Sequence, residues 1–179
     1  MYKIGDNVVY GSSGVMTVTD IREETIGDVP RSYYVLKAPG ASKDSLTFVP
    51  IDNEKLTASM RPLASRDRIL EIIEAIPTVS EAEWISDNRA RSERFKAIVE
   101  SGSHEEIIAM IKAICLTGAR RAEEGKKNYL SDEAAMKKAE HVLYSEFSSV
   151  LGIDEAQVAQ FISERTSWPA RKEISATEL

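Results

Sequence analysis

The sequence predicts an α+β protein in which a small antiparallel β domain precedes an all-helical domain. Residues 1 to about 60 contain short segments rich in Val, Thr, Tyr and Phe, separated by turn clusters such as GSSG and GDVP. From Ser65 onward, apolar residues recur with the period of amphipathic helices. The change of period lies near Pro62, so we expect domains at 1–62 and 63–165, followed by a flexible tail at 166–179.

Four segments of the N-terminal half predict strands: NVVY, GVMTVTDI, SYYVLK and SLTFVP. No segment with a helical period lies between them, which favours a strongly bent antiparallel sheet or an SH3-like barrel. We expect its core to include Val15, Tyr33, Val35 and Val49.

Start and stop signals divide the C-terminal half into helices. Ser65 can cap a first helix, which Pro77 ends. The SEAE segment at 80–83 has the spacing of a capping box and predicts that a longer helix follows it. Ser86 or Asp87 could instead cap the basic part of that helix.

Similar signals predict three further helices. Gly102 closes the basic helix, and SHEE at 103–106 has capping-box spacing for the next one. Ser131 and Gly152 bracket the following helix, and Asp154 begins a short last one.

Composition narrows the classes of function. The net charge of −6, with both signs well mixed, argues against a protein that coats nucleic acid or membrane, but it leaves room for a local basic site. The single cysteine, Cys115, allows no disulfide within the chain and no zinc site. The N-terminus is unlike a signal peptide, and no apolar run reaches a membrane-spanning length. We therefore expect a cytoplasmic protein without a membrane partner, metal or cofactor.

Catalytic chemistry is sparse. His104 and His141 belong to no cluster with metal-ligand spacing, and Cys115 lies on an apolar helical face without a nearby histidine. The GSSG turn lacks the lysine of a phosphate-binding loop. The sequence therefore predicts no catalytic residues, no small-molecule substrate and no enzyme activity.

A tryptophan adjoins the densest run of basic residues. Within EAEWISDNRARSERFK, Trp84 precedes Arg89, Arg91, Arg94 and Lys96. One interpretation is a partly buried core residue beside a solvated helix face. The other is a nucleic-acid wedge, in which basic side chains hold phosphates while the ring pushes against a base step. Composition alone leaves both interpretations open.

The order of these motifs resembles the CarD/CdnL family of bacterial transcription regulators. The opening YKIGDNVVYGSSGVMTVTDI and the later YYVLK and SLTFVP resemble its strands. EWISDNRARSERFKAIVESGSHEEIIAMIKAI resembles its Trp-basic helix, SG turn and next helix, and LSDEAAMKKAEHVLYSEFSSVLGID resembles the segment after them. The resemblance covers roughly residues 2 to 165.

The resemblance implies a Tudor-like N-terminal domain that binds the β subunit of RNA polymerase by pairing strand to strand. The corresponding edge is SLTFVP, with Glu24, Thr25 and Ile26 of a neighbouring loop as further contacts. Some relatives carry basic residues at the positions of Glu24 and Phe48, so the contact chemistry differs here. The expected polymerase contacts are Glu24, Ile26, Leu46, Thr47, Phe48, Val49 and Pro50.

The resemblance also implies that the helical domain contacts promoter DNA at the upstream edge of the transcription bubble. Trp84 matches the tryptophan that wedges into the minor groove there, and Arg89 lies where a phosphate contact is expected, with Arg91 as a second candidate. Lys137 and Lys138 lie near another family contact, in a segment two residues shorter than in some relatives.

The predicted function is a transcription regulator that binds polymerase and stabilises the open promoter complex. Tethering through the β domain raises the local concentration of the wedge, so a protein of net negative charge can still act on DNA. The alternative is an interaction adaptor whose helices form a second protein interface, which the net charge of −6 favours slightly. A small hydrolase or transferase would need a catalytic constellation that the sequence lacks.

Overall fold

The computed structural model of the chain describes residues 1–25, 30–101, 103–166 and 168. Three sequence-based expectations therefore lie wholly or largely outside the described residues: the contact by Ile26, the helix end at Gly102 and the flexible tail at 166–179, of which only Thr166 and Trp168 are described.

The described part of the N-terminal half contains five β-strands. They are β1 (Asn7–Tyr10), β2 (Val15–Thr25), β3 (Pro30–Lys37), β4 (Thr47–Pro50) and β5 (Met60–Pro62). They form one antiparallel sheet in the order β4-β3-β2-β1-β5, with a register shift between Val18 and Asp20. Together with the helices that follow, this sheet confirms the predicted α+β class.

Six α-helices lie within the described residues. They are α1 (Glu54–Thr57), α2 (Arg66–Ala75), α3 (Asn88–Ser101), α4 (His104–Glu123), α5 (Leu130–Leu151) and α6 (Glu155–Arg165). The short α1 lies between the last two strands, so the longer helices all follow the sheet.

The capping predictions agree with most of the helix bounds. The Ser65 hydroxyl accepts a hydrogen bond from the Arg68 N–H, Ser103 caps α4, and Asp154 forms a capping box with Gln157. Gly152 ends α5 in the left-handed region, at φ 71°.

The longer helix does not begin after Ser80, so that predicted start was wrong, whereas the alternative cap at Asp87 is confirmed. Residues 81–85 are without regular structure, and α3 begins only at Asn88, where Asp87 Oδ1 accepts a 2.8 Å hydrogen bond from the Ala90 N–H. Three tertiary hydrogen bonds hold residues 77–82 against α4. The Ala82 N–H donates to the Ala109 carbonyl of α4 at 2.9 Å, and Lys112 Nζ donates to the carbonyls of Pro77 and Val79.

The buried apolar residues form two clusters. One lies within the strand region and includes Val8, Val18, Leu36 and Val49. The larger one fills the space among the helices, and it also takes in Val9 and Val15 from the sheet. All four residues expected in the β core are buried, but only Val49 belongs to the strand cluster. Val15 packs against the helices, and Tyr33 and Val35 belong to neither cluster.

The turn between β1 and β2 fits directly against α5. Gly14 has φ 69°, and a Cβ there would overlap the Ser145 hydroxyl, so only glycine permits this approach. The Ser145 hydroxyl accepts a 3.2 Å hydrogen bond from the Val15 N–H, and His141 Nε2 lies 3.2 Å from the Ser13 carbonyl oxygen. The GSSG turn is therefore a contact between the sheet and the helices.

A buried carboxylate forms a second contact between the two regions. Glu146 of α5 is 0% exposed, and it accepts hydrogen bonds from both terminal nitrogens of Arg61 in β5, at 2.8 and 2.6 Å. The Ala64 N–H and His104 Nε2 donate to the same carboxylate, each at 2.9 Å. Burial alone would raise the pKa of Glu146, but hydrogen bonds from Arg61, His104 and Ala64 lower it to about 2. The carboxylate therefore stays ionised at neutral pH.

Candidate functional site

The strand β4 lies at one edge of the sheet. It pairs with β3 on one side and ends the strand order on the other, among the strands that the structure describes. Such an edge exposes backbone groups that can pair with a strand from another protein. The segment expected to pair with polymerase thus contains an edge strand of the sheet.

The side chains expected to contact polymerase at this edge differ in exposure. Phe48 is 37% exposed and Leu46 is similarly exposed, whereas Val49 is fully buried in the β core. Thr47 and Pro50 are half-buried. The Val49 side chain faces inward because alternate residues of a strand face opposite sides, so only its backbone is available to a partner.

Glu24 and Phe48 belong to one cluster of side chains on the sheet. The Arg22 guanidinium lies 5.2 Å from the centre of the Phe48 ring, and its Nε is 2.9 Å from Glu24 Oε1. The Phe48 ring also meets Tyr33 edge to face, at a centroid separation of 6.2 Å. A partner at this edge would meet an aromatic ring beside an ion pair.

Trp84 is half-buried at the surface of the helical region. Its ring meets Phe95 of α3 at a centroid separation of 6.3 Å, and it packs against the main apolar cluster. The segment that carries it is fixed to α4 by the bonds from Ala82 and Lys112 described above. Burial lowers the pKa of the Lys112 ammonium. The indole is thus held in place and is not sealed inside the core.

Arg91 supports the indole from within. Its guanidinium lies 4.5 Å from the centre of the Trp84 ring, and the residue is 1% exposed. Nε and one terminal nitrogen each donate to the Asp132 carboxylate at 3.1 Å. The remaining donors reach the carbonyls of Ile85 and Ser86 and the Asn88 side chain.

These contacts occupy all five N–H donors of Arg91. In this arrangement the side chain has no donor left for a phosphate, contrary to the contact expected for it from the sequence. The side chain of Arg91 instead positions Trp84.

Two residues beside Arg91, Arg121 and Tyr129, were not predicted from the sequence to belong to this site. The Arg91 guanidinium also lies 4.9 Å from the centre of the Tyr129 ring, and the Arg121 guanidinium lies 4.1 Å from the same ring. Trp84, Arg121 and Tyr129 line one shallow crevice. The aromatic residue and the adjoining basic pair in GKKNY were the available signal in the sequence.

The remaining predicted DNA contacts are exposed. Arg89 lies in the first turn of α3, a few residues from Trp84. Lys137 and Lys138 are exposed on α5, but they line different depressions. Lys138 shares a groove between α3 and α5 with Lys96, whereas Lys137 lies beside His141 and Glu155. The structure therefore does not bring the two lysines into one depression.

Each histidine interacts with a glutamate of the helical region. His104 bonds to Glu146 and stacks on Phe147, and His141 Nδ1 lies 3.0 Å from Glu155 Oε1. Within the described ranges, no group of three or more His, Cys, Asp or Glu side chains could hold a metal ion. In the same part of the chain, no helix is both long enough and apolar enough to cross a membrane.

Comparison with known protein families identifies the N-terminal region. Residues 2–64 match the family model of the CarD-like/TRCF RID domain, where RID denotes an RNA polymerase-interacting domain. The matched range contains β1 to β5 and ends at Ala64, whose N–H bonds to Glu146. The match supports a transcription-related role that involves RNA polymerase binding. Trp84 and the long helices lie outside the match.

Proposed function

We propose, from the premise that residues 2–64 form a CarD-like RNA polymerase-interacting domain, that this protein is a non-enzymatic, cytoplasmic transcription regulator. It binds the polymerase β subunit through the edge of β4 and stabilises the open promoter complex by inserting Trp84 into the minor groove at the upstream edge of the bubble. In this proposal residues 1–62 are the polymerase-binding domain and residues 63–165 are the DNA-binding domain.

The β4 edge supports the first part of the proposal. Its position at the end of the sheet leaves backbone groups available for pairing, and Leu46 and Phe48 present apolar side chains beside them. Backbone pairing would supply affinity, while the Phe48 cluster with Arg22 and Glu24 would supply specificity.

The Trp84–Arg91–Asp132 arrangement is the single observation that carries the second part. A wedge must keep its orientation while it pushes against a base step whose unstacking costs a few kcal/mol. The buried Arg91–Asp132 pair and the ring of Phe95 fix the indole while part of it stays accessible. The exposed guanidinium of Arg89 can then contact a phosphate nearby.

The effect on transcription follows from binding linkage. A wedge that binds melted DNA better than closed duplex shifts the population toward the open complex by its difference in affinity. Attachment to polymerase raises the effective concentration of the wedge at the promoter, so the helical domain alone needs only weak affinity for DNA.

Trp84→Ala tests the wedge. We expect the lifetime of the polymerase–promoter open complex to fall by about fivefold to tenfold, while affinity for the polymerase β subunit stays unchanged. The matched control is Trp168→Ala, which removes the other half-buried tryptophan of the chain. Thermal unfolding of both variants shows whether a lost fold could explain the result. An unchanged lifetime in a folded Trp84→Ala protein would reject the wedge.

Phe48→Pro and Phe48→Ala test the edge. Proline removes a backbone N–H from β4, whereas alanine removes only the exposed ring. We expect both to weaken binding to purified β-subunit fragments, with the larger loss for a proline variant that remains folded. Upstream DNA footprints distinguish the adaptor alternative, in which the protein binds polymerase but leaves the promoter DNA unprotected.

A further inference from the structure

We propose that the loop at 124–129 and the start of α5 form a second DNA-contacting surface beside Trp84. This surface, which we call the Tyr129 surface, consists of Arg121, Lys126, Lys127, Tyr129 and Leu130. The inference rests on the proposed function, because it assigns the Tyr129 surface to the same promoter DNA as Trp84.

The apolar part of the Tyr129 surface is unusually accessible. Leu130 is 83% exposed and Tyr129 is 41% exposed, although both are large and adjacent in sequence. Exposed apolar side chains side by side are typical of interaction sites. The Tyr129 ring is fixed by guanidinium contacts from Arg91 and Arg121, so it is presented in a defined orientation.

The loop itself is held against α4. Arg121 donates from Nε and a terminal nitrogen to the Lys127 carbonyl, at 3.0 and 2.8 Å. The Asn128 side chain packs so closely on Gly118 that a Cβ there would lie 3.0 Å from Asn128 Oδ1. A binding loop that is already ordered loses less conformational entropy when it meets its partner.

The charge of the Tyr129 surface favours DNA as its occupant. The chain carries a net charge of −6, yet residues 121–130 carry three basic and two acidic side chains, a local net charge of +1, beside the exposed apolar pair. Lys126 is paired with Glu124 at 2.7 Å, so Lys127 is the side chain that we assign to a phosphate. Exposed basic groups around apolar side chains suit a minor-groove contact, in which phosphates flank the apolar contact to the bases.

The distance to Trp84 allows both elements to contact one stretch of DNA. The Arg91 guanidinium lies 4.5 Å from the Trp84 ring centre and 4.9 Å from the Tyr129 ring centre. The two ring centres are therefore at most about 9.4 Å apart, which is less than three base-pair steps of about 3.4 Å. Arg91 contacts both rings and so links Trp84 to Tyr129.

Leu130→Ala and Lys127→Gln test the proposal, because both side chains are exposed and neither change disturbs a buried contact. The probe is the polymerase–promoter open complex, with complex lifetime and affinity measured over a range of salt concentrations. We expect Leu130→Ala to shorten the lifetime about threefold to fivefold. We expect Lys127→Gln to reduce the slope of log affinity against log salt by about 0.9, the value for one phosphate contact.

The controls are Ile4→Ala and Lys55→Gln, which make the same chemical changes at exposed sites of the strand region. If Leu130→Ala and Lys127→Gln give the same lifetime and salt dependence as these controls, while Trp84→Ala shortens the lifetime, the inference about the Tyr129 surface is wrong and the proposed function stands. If Trp84→Ala also has no effect, the proposed function fails first. Weaker binding to polymerase without DNA would show that the Tyr129 surface contacts protein, which also overturns the inference.

Discussion

Glu146→Gln should weaken the joint between the sheet and the helices. The substitution keeps the size and shape of the side chain but removes its charge. Arg61 and His104 would then face an amide, and the charge-assisted hydrogen bonds to the carboxylate would be lost. Because Glu146 is fully buried, water cannot take over these interactions without local opening.

The size of the effect follows from the pKa. The Glu146 pKa falls from 4.5 in a model peptide to about 2 in the fold. Each unit of difference corresponds to about 1.4 kcal/mol, so ionisation of Glu146 contributes about 3 kcal/mol to the free energy of unfolding at pH 7. The folded-state pKa is depressed, so this contribution is complete above pH 4.5 and is lost as the pH falls toward 2.

Urea unfolding at a series of pH values measures this contribution. We expect the Gln variant to be less stable than the unmodified protein by about 3 kcal/mol at pH 7. The difference should narrow steadily between pH 4.5 and pH 2, because the unmodified protein loses the same contribution there. Glu74→Gln is the matched control, since Glu74 is an exposed carboxylate on α2.

Two results would refute this reasoning. A Gln variant as stable as the Glu74→Gln control at pH 7 would mean that the ionised carboxylate contributes nothing net. A stability difference that stays constant from pH 7 to pH 2 would mean that packing, and not ionisation, explains the loss.

Three further predictions concern single positions. Gly14→Ala should destabilise the fold by more than about 1 kcal/mol in chemical denaturation, because its Cβ would overlap Ser145, whereas Gly11→Ala meets no neighbouring atom and should cost less. Asp132→Asn should lower stability by about 3 kcal/mol, because it leaves Arg91 without its buried counter-charge. In a Trp168→Phe background, where Trp84 is the remaining tryptophan, the same substitution should shift the fluorescence emission. Unchanged emission would contradict the role of the pair in holding the indole. Ser65→Ala should cost about 1 kcal/mol through its lost cap, and Ser80→Ala, where no helix begins, should cost almost nothing in the same thermal unfolding assay.

Sequence signals were sufficient to predict helix ends where nearby residues determine the backbone conformation. Ser65, Asp154 and Gly152 act as caps because each interacts with groups only a few residues away. The same reasoning placed a helix start at Ser80, whose capping-box spacing fits equally well, but no helix begins there. There, Lys112 and the Ala109 carbonyl hold the chain extended, and no local pattern reveals such distant partners.

Buried charges explain why the candidate site was only partly predictable. Arg91 lies in a run of basic residues that is typical of a solvated helix face, but its partner Asp132 is 41 positions away. The burial of Glu146 was easier to predict from the sequence, because it lies between Val142 and Val150 at the spacing of the apolar face of α5. A charged residue at such a position indicates a buried partner, although the sequence does not say which one.

The strand order has a consequence for how the two ends of the molecule work together. The edge β4 lies four strand spacings from β5, about 19 Å away across the sheet, while the bonds to the helices start from β5 and from the turn after β1. In the proposed function, a partner that pairs with β4 therefore binds at the edge of the sheet opposite Arg61 and its contact with α5. If polymerase binds at β4, as we propose, substitutions there can change its affinity while leaving the contacts with α5 in place.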